Sequence, residues 1–146
     1  MPKLSGSFNA KTTWLTTIPQ GDVAGHEVTM AAISGMQKSD DPQWNNASIT
    51  YWGVGDAISG NGVQWGCYLN KHTDGDYDRG TFEARIRTMG DKMLIEGKWA
   101  ITGGTGKYNG ATGGGAFRSR MLSPTEVECK WEGEYQIAEV GRGAGH

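Results

Sequence analysis

The chain has 146 residues, 24 of them glycine and six tryptophan, and its 14 basic and 16 acidic side chains leave a formal net charge of −2. That balance gives no footing for nucleic acid, whose recognition rests on clustered Lys and Arg. Glycine at more than twice its usual share of about 7% is not disorder here, because disordered chains are poor in large aromatics, nor collagen, because no Gly-X-Y period runs through it.

No long stretch repeats apolar residues at helical spacing; alternating runs separated by turn residues recur instead. They predict eight strands: Gly6–Ile18, His26–Gln37, Ala47–Asp56, Gly62–His72, Tyr77–Met89, Lys92–Thr102, Gly115–Leu122 and Thr125–Ile137. The separators Pro19-Gln20-Gly21-Asp22, Ser59-Gly60-Asn61-Gly62, Thr73-Asp74-Gly75-Asp76, Gly90-Asp91 and Ser123-Pro124 carry tight-turn chemistry, which joins antiparallel neighbours. Eight meandering strands close most naturally into an up-and-down barrel, which removes the exposed edges. The domain is expected over residues 1–140, with 141–146 a frayed tail. Residues 38–46 form the longest polar connection, and Trp44 within it is placed to cover one barrel mouth.

Alternation also selects faces. Val63, Trp65, Cys67 and Leu69 line up in the fourth strand, and Gly80, Phe82, Ala84 and Ile86 in the fifth. The sixth aligns Met93, Ile95, Gly97, Trp99 and Ile101, and the eighth Val127, Cys129, Trp131, Gly133, Tyr135 and Ile137. These sets are expected to face the interior. Arg79, Glu83, Arg85 and Arg87 share the other face of the fifth strand, either as a solvated surface or as a contact in a homo-oligomer, dimer or trimer.

The run Thr102–Gly115 is the densest in glycine. It is no phosphate loop: Ile101 stands where the first Walker glycine belongs, Tyr108 follows Lys107, and no helix follows. Glycine there serves an inter-strand connection. Within it, Ala100-Ile101-Thr102-Gly103-Gly104-Thr105-Gly106-Lys107-Tyr108-Asn109-Gly110-Ala111-Thr112-Gly113 resembles the Ala-Ile-Thr-Gly-Gly-x-Gly-x-(Phe/Tyr)-x-Gly-Ala-x-Gly segment of the allene oxide cyclase family. That family forms calycin-like eight-stranded barrels related to dirigent proteins and to many bacterial proteins. Its plant members close a fatty-acid-derived epoxide inside the barrel without a cofactor, using a Glu, an Asn, a Cys and a Tyr.

The resemblance places Cys67 at the family's Cys and Asn9 at its Asn, and it puts Trp99 where the family has Tyr. The Glu has no counterpart in Ser5-Gly6-Ser7-Phe8-Asn9, so what carries over is the barrel rather than that cyclisation. His26, beginning the second strand, adds a possible general acid or base at a barrel mouth. Cys67, Asn9 and His26 are therefore the candidate catalytic residues. Trp65, Leu69, Ile95, Trp99, Ile101, Trp131 and Tyr135 are the candidate substrate-binding wall.

The expected function is binding of a small apolar or aromatic molecule in the barrel, with cofactor-free isomerase, cyclase or lyase chemistry on it. The alternatives are a non-catalytic carrier, a stereochemical guide, or a filled barrel serving assembly. Three dispersed His suggest no metal site, and no cofactor is expected. The amino terminus lacks a secretory apolar segment and no apolar run approaches membrane length, so a cytoplasmic protein with no membrane partner is expected.

Overall fold

The computed structural model describes residues 3–137. It is an all-β protein whose eight antiparallel strands form a closed barrel, each bonded to its chain neighbours and the last to the first. The strands are β1 (Lys3–Pro19), β2 (His26–Ser39), β3 (Ser48–Ile58), β4 (Asn61–Lys71), β5 (Tyr77–Met89), β6 (Lys92–Gly104), β7 (Thr112–Ser123) and β8 (Glu126–Gln136). A short 3-10 turn, Gly106–Tyr108, lies between β6 and β7, inside the glycine run. The tail expected at 141–146 falls outside the described residues.

Period-two alternation explains the closure. Along β5, Gly80, Phe82, Ala84 and Ile86 are buried while Arg79, Thr81, Glu83, Arg85 and Arg87 are exposed. Where β1 meets β8, Lys3 stands opposite Glu134 and Lys11 opposite Glu126, opposite charges that favour this register over a slipped one. On the outer wall of β5 to β8, Glu96 takes both Arg87 (3.1 Å) and Arg118 (3.4 Å), and Arg120 meets Glu128 at 3.3 Å. Exposed pairs of this kind contribute little each.

One face assignment is reversed. Val63, Trp65 and Cys67 of β4 are exposed and Leu69 is only half-buried, all on the outer wall. The inner set is Gln64, Gly66, Tyr68 and Asn70, with Tyr68 and Asn70 buried. The tight β4–β5 connection pairs Tyr68 with Gly80 and Asn70 with Asp78, on the inward parity of β5. A strand has only two faces, so seating Tyr68 and Asn70 inside turns the apolar set outward.

Glycine makes room for the inner rings. A methyl on Gly80 would collide with the Tyr68 phenol, one on Gly133 with the Trp99 indole, and one on Gly6 with the Trp131 indole. Part of the unusual glycine content is thus a set of sockets opposite large aromatics.

Candidate functional site

The connections fall at two ends of the barrel. At one end are residues 40–47, 72–76 and 105–111; at the other are the hairpin turns near 20–25, 59–60, 90–91 and 124–125. The first end is plugged by Trp44, which is 3% exposed. Its ring meets His72 edge-on at 4.9 Å, Tyr135 at 4.8 Å and Tyr108 at 5.9 Å, and His72 stacks on Tyr108 at 4.1 Å. The loop is anchored by its own backbone bonds, Asn46 N–H to Gln37 and Ala47 N–H to Trp44, and by the Tyr135 hydroxyl donating to Asp41 at 2.9 Å. Burial, and then the Asp41 carboxylate, push the Tyr135 phenol up to about 12, which keeps it a donor.

Beneath Trp44 lies a cavity of about 70 Å³, bounded mainly by Phe8, Ile49, Tyr51, Phe82, Trp99, Phe117 and Trp131. Trp99 and Trp131 cross edge to face at 5.8 Å, and the Trp99 indole N–H donates to the Ala116 carbonyl at 3.2 Å. The volume is well below the roughly 150 Å³ of an apolar cavity that takes benzene. An aromatic ligand therefore enters only if a wall side chain or the Trp44 plug moves.

Polar groups reach this wall through one directed chain of hydrogen bonds. The Trp131 indole N–H, which can only donate, bonds Gln37 Oε1 at 2.8 Å. That orients the Gln37 amide so that its Nε2 donates to Asn70 Oδ1 at 3.1 Å. Asn70 Nδ2 is then turned to Asp78 Oδ2 at 3.4 Å. Asp78 Oδ1 lies 2.6 Å from His72 Nε2, and His72 Nδ1 donates to the Gln43 carbonyl in the plug loop at 2.6 Å. Because Nδ1 must carry a hydrogen for that last bond, a single further proton serves the His72–Asp78 contact. Both side chains are 1% exposed, so this proton is held away from bulk water.

Tyr68 stands beside this chain. Its hydroxyl is buried and has no hydrogen-bond partner among the described residues, although Tyr68, Asn70 and Asp78 all border the cavity. Burial, and then the nearby Asp78, hold its pKa well above the ordinary value, so it is a neutral donor with nothing to donate to. An orphaned buried hydroxyl is costly, and in a cavity walled mainly by aromatic rings it is what a ligand's acceptor would satisfy.

The residues singled out from sequence are distributed unevenly around this site. Trp99 and Trp131 border the cavity. Ile95, Ile101 and Tyr135 are buried inside without bordering it, Ile95 in the separate cluster with Ala84 and Ile86 and Tyr135 in the plug. Trp65, Leu69 and Cys67 sit on the outer wall, and Asn9 is exposed on β1, whose inner residues are Phe8 and Ala10. His26 also lies outside, at the hairpin end, with Nε2 2.6 Å from Asp56 and Nδ1 2.6 Å from Asp22. Cys67, Asn9 and His26 therefore do not meet one another or the cavity; an alternating strand cannot bring outer residues to inner chemistry. The interior cysteine is Cys129, whose thiol burial pushes up to about 12, leaving it protonated and a poor nucleophile.

Of the groups that do converge, Gln37, Asn70, His72 and Asp78 escape a sequence reading because they are polar, and Tyr68 because it lies on the β4 parity assigned outward. A signal existed: Asp78 lies two residues before Gly80 on the recognised inward parity of β5, and the short turn pairs it with Asn70. Among the described residues no cluster of three or more His, Cys, Asp or Glu is arranged to hold a metal ion.

No protein-family model matches the chain, and comparison with curated proteins finds no match. Among solved structures, the barrel is similar to that of the pterocarpan synthase dirigent protein GePTS1, with a TM-score of 0.55 and 15% identity over 94% of this chain and 90% of that one. It is also similar to the pterocarpan synthase dirigent protein PsPTS1, with a TM-score of 0.51 and 15% identity over 93% of this chain and 94% of that one. At this identity the likeness concerns the fold: the chain has the eight-stranded barrel architecture of dirigent proteins.

Proposed function

We propose that the barrel binds a small, largely aromatic molecule carrying one hydrogen-bonding substituent, and holds it in a single conformation beneath the Trp44 plug. The observation that carries this reading is the unpartnered Tyr68 hydroxyl at the wall of an aromatic cavity. Phe82, Phe117, Trp99 and Trp131 would restrict the ring system, while Tyr68 anchors its acceptor. Constraining a reactive molecule to one geometry is enough to direct a reaction begun elsewhere. The likeness to two dirigent barrels supports that guiding role.

A second reading is favoured by the His72–Asp78 contact. A proton held between these groups beside the cavity can be delivered to, or taken from, a bound ligand, which would make the barrel a cofactor-free isomerase, cyclase or lyase.

The test is titration of the full chain with a panel of small phenols, quinones and apolar ring compounds, followed by tryptophan fluorescence and by native mass spectrometry. Saturable one-to-one binding, weakened roughly three- to tenfold in Tyr68→Phe, is the expected result. No response in the wild type, and none when Trp44→Ala opens the plug, would overturn the reading in favour of a filled barrel. With a ligand in hand, turnover that disappears in Asp78→Asn while binding persists would select the enzyme over the guide.

A further inference from the structure

The cavity has two covers, and they are built differently. Toward the loops it is the Trp44 plug, which hydrogen bonds tie down from several sides. Tyr135 donates to Asp41, His72 to the Gln43 carbonyl, and the Gln37 N–H to the Ala47 carbonyl at 2.8 Å. Farther along the strands it is a layer of four rings, Phe8, Tyr51, Phe82 and Phe117, all bordering the cavity. They come from β1, β3, β5 and β7, in the way that alternate strands supply one layer of a barrel interior. Tyr51 lies 5.9 Å from Phe8 and 5.8 Å from Phe82, and Phe82 meets Phe117 edge-on at 6.0 Å, so the layer spans the lumen. On its far side Phe117 packs on the apolar cluster of the hairpin end.

Within this layer Phe82 has the barest seat. Its partner on β4 is Gly66, whose own partner on β3 is Gly53. A methyl on Gly53 would come 3.3 Å from Phe82 Cζ, so the ring tip rests on bare backbone. Onward to the hairpins the inner wall of β3 continues as Gly55 and Ala57, beside Thr29 and Ala31 of β2. The bulk of that end, Ala84, Ile86 and Ile95, comes from β5 and β6. Of these, Ile86 leans across, 3.5 Å from where a methyl on Gly55 would stand.

We propose that Phe82 is the gate of the cavity: its ring swings on the glycine floor, and a ligand enters from the hairpin end along the small-residue wall of β2 and β3. This rests on the reading of the cavity as a ligand site, and it names the wall side chain that moves. Opening the plug breaks several buried hydrogen bonds together, whereas a phenylalanine that turns gives up ring contacts and no hydrogen bond. Gly53 sets the freedom of that turn, because a side chain there would stand against the ring tip in a close-packed interior.

The test follows Cys129, which borders the cavity, in the full chain carrying Cys67→Ser to silence the exposed thiol. The probe is dithiodipyridine, a small aromatic disulfide that reaches Cys129 only through rare openings, over hours, so that its rate follows the open population. Phe82→Ala should raise that rate at least about tenfold, and Gly53→Ala should lower it about threefold. Tyr135→Phe, which removes a plug bond, should leave it within about twofold. Should Phe82→Ala fail to fold, Gly53→Ala decides alone, because lost stability cannot slow labelling. Acceleration by Tyr135→Phe without slowing by Gly53→Ala puts entry at the plug and overturns the inference. So do equal rates in all of these proteins. A ring compound that binds in the titration above should associate and dissociate about threefold more slowly with Gly53→Ala, at a Kd changed less than about twofold. A barrel that binds none of the panel fails as a ligand site whatever the labelling rates, which keeps the two readings apart.

Discussion

The two ends of the barrel are built on different physical terms. The plugged end is directional: Gln37, Asn70, Asp78 and His72 form a chain in which each donor fixes the next acceptor, capped by Trp44, Tyr108 and Tyr135. The hairpin end is filled by Ala84, Ile86 and Ile95 with Met93, Phe117 and Met121 against them, a cluster that needs only volume and apolarity. Hydrogen bonds at low dielectric specify identity and orientation, whereas aliphatic packing tolerates exchange at constant volume. A site that must recognise one ligand belongs at the first kind of end, and the cavity lies against it.

This contrast fails if the two ends respond alike to substitution. Asp78→Ala should cost about 3–5 kcal/mol in urea unfolding, since it strands the buried His72 Nε2 and Asn70 Nδ2 together. Asp78→Asn should recover most of that loss, because its amide can donate to His72 Nε2 while its oxygen still accepts from Asn70. Equal losses in both variants would show that charge, not hydrogen-bond direction, holds the end together. At the hairpin end, Ile95→Ala should cost about 2–5 kcal/mol but Ile95→Val only about 0.5–1.5. A valine penalty as large as the alanine one would mean that this end is as exacting as the other.

A smaller effect concerns pH. Hydrogen bonds from Asp56 and then Asp22 raise the His26 pKa above its ordinary 6.5, and the same bond to His26, with the Val23 N–H, lowers Asp22 below 3.8. His26 contributes stability that is complete below pH 6.5 and lost as pH rises through its elevated value. Asp22 contributes above pH 3.8 and loses that contribution as pH falls through its depressed value. The melting temperatures of wild type and His26→Gln should therefore differ most between these limits and converge above the raised His26 value. A difference that keeps growing into alkali would remove the ion-paired clasp from the hairpin end. Smallest in energy is thiol labelling: one cysteine, the exposed Cys67, should react in the native protein and both in denaturant. Native labelling of Cys129 would show that the inner wall opens readily.

What was legible in the sequence was whatever period two writes locally. All eight strands, the meander and the inner faces of β5, β6 and β8 follow from alternation and turn residues, because each needs only neighbours in sequence. Even the cover over one mouth was readable from Trp44, a large aromatic stranded in a polar loop. In β4, however, both parities carry a ring, Trp65 on one and Tyr68 on the other, and hydropathy favoured the wrong one. Only the pairing of Asn70 with Asp78 across a short turn settles which faces inward. The same holds for the site. Gln37, Asn70, His72 and Asp78 lie on three strands and a turn, and each alone reads as a surface residue. A buried polar group is favourable only when its partner is buried with it, so the inward placement of these residues was decided by barrel closure, which brings the partners together.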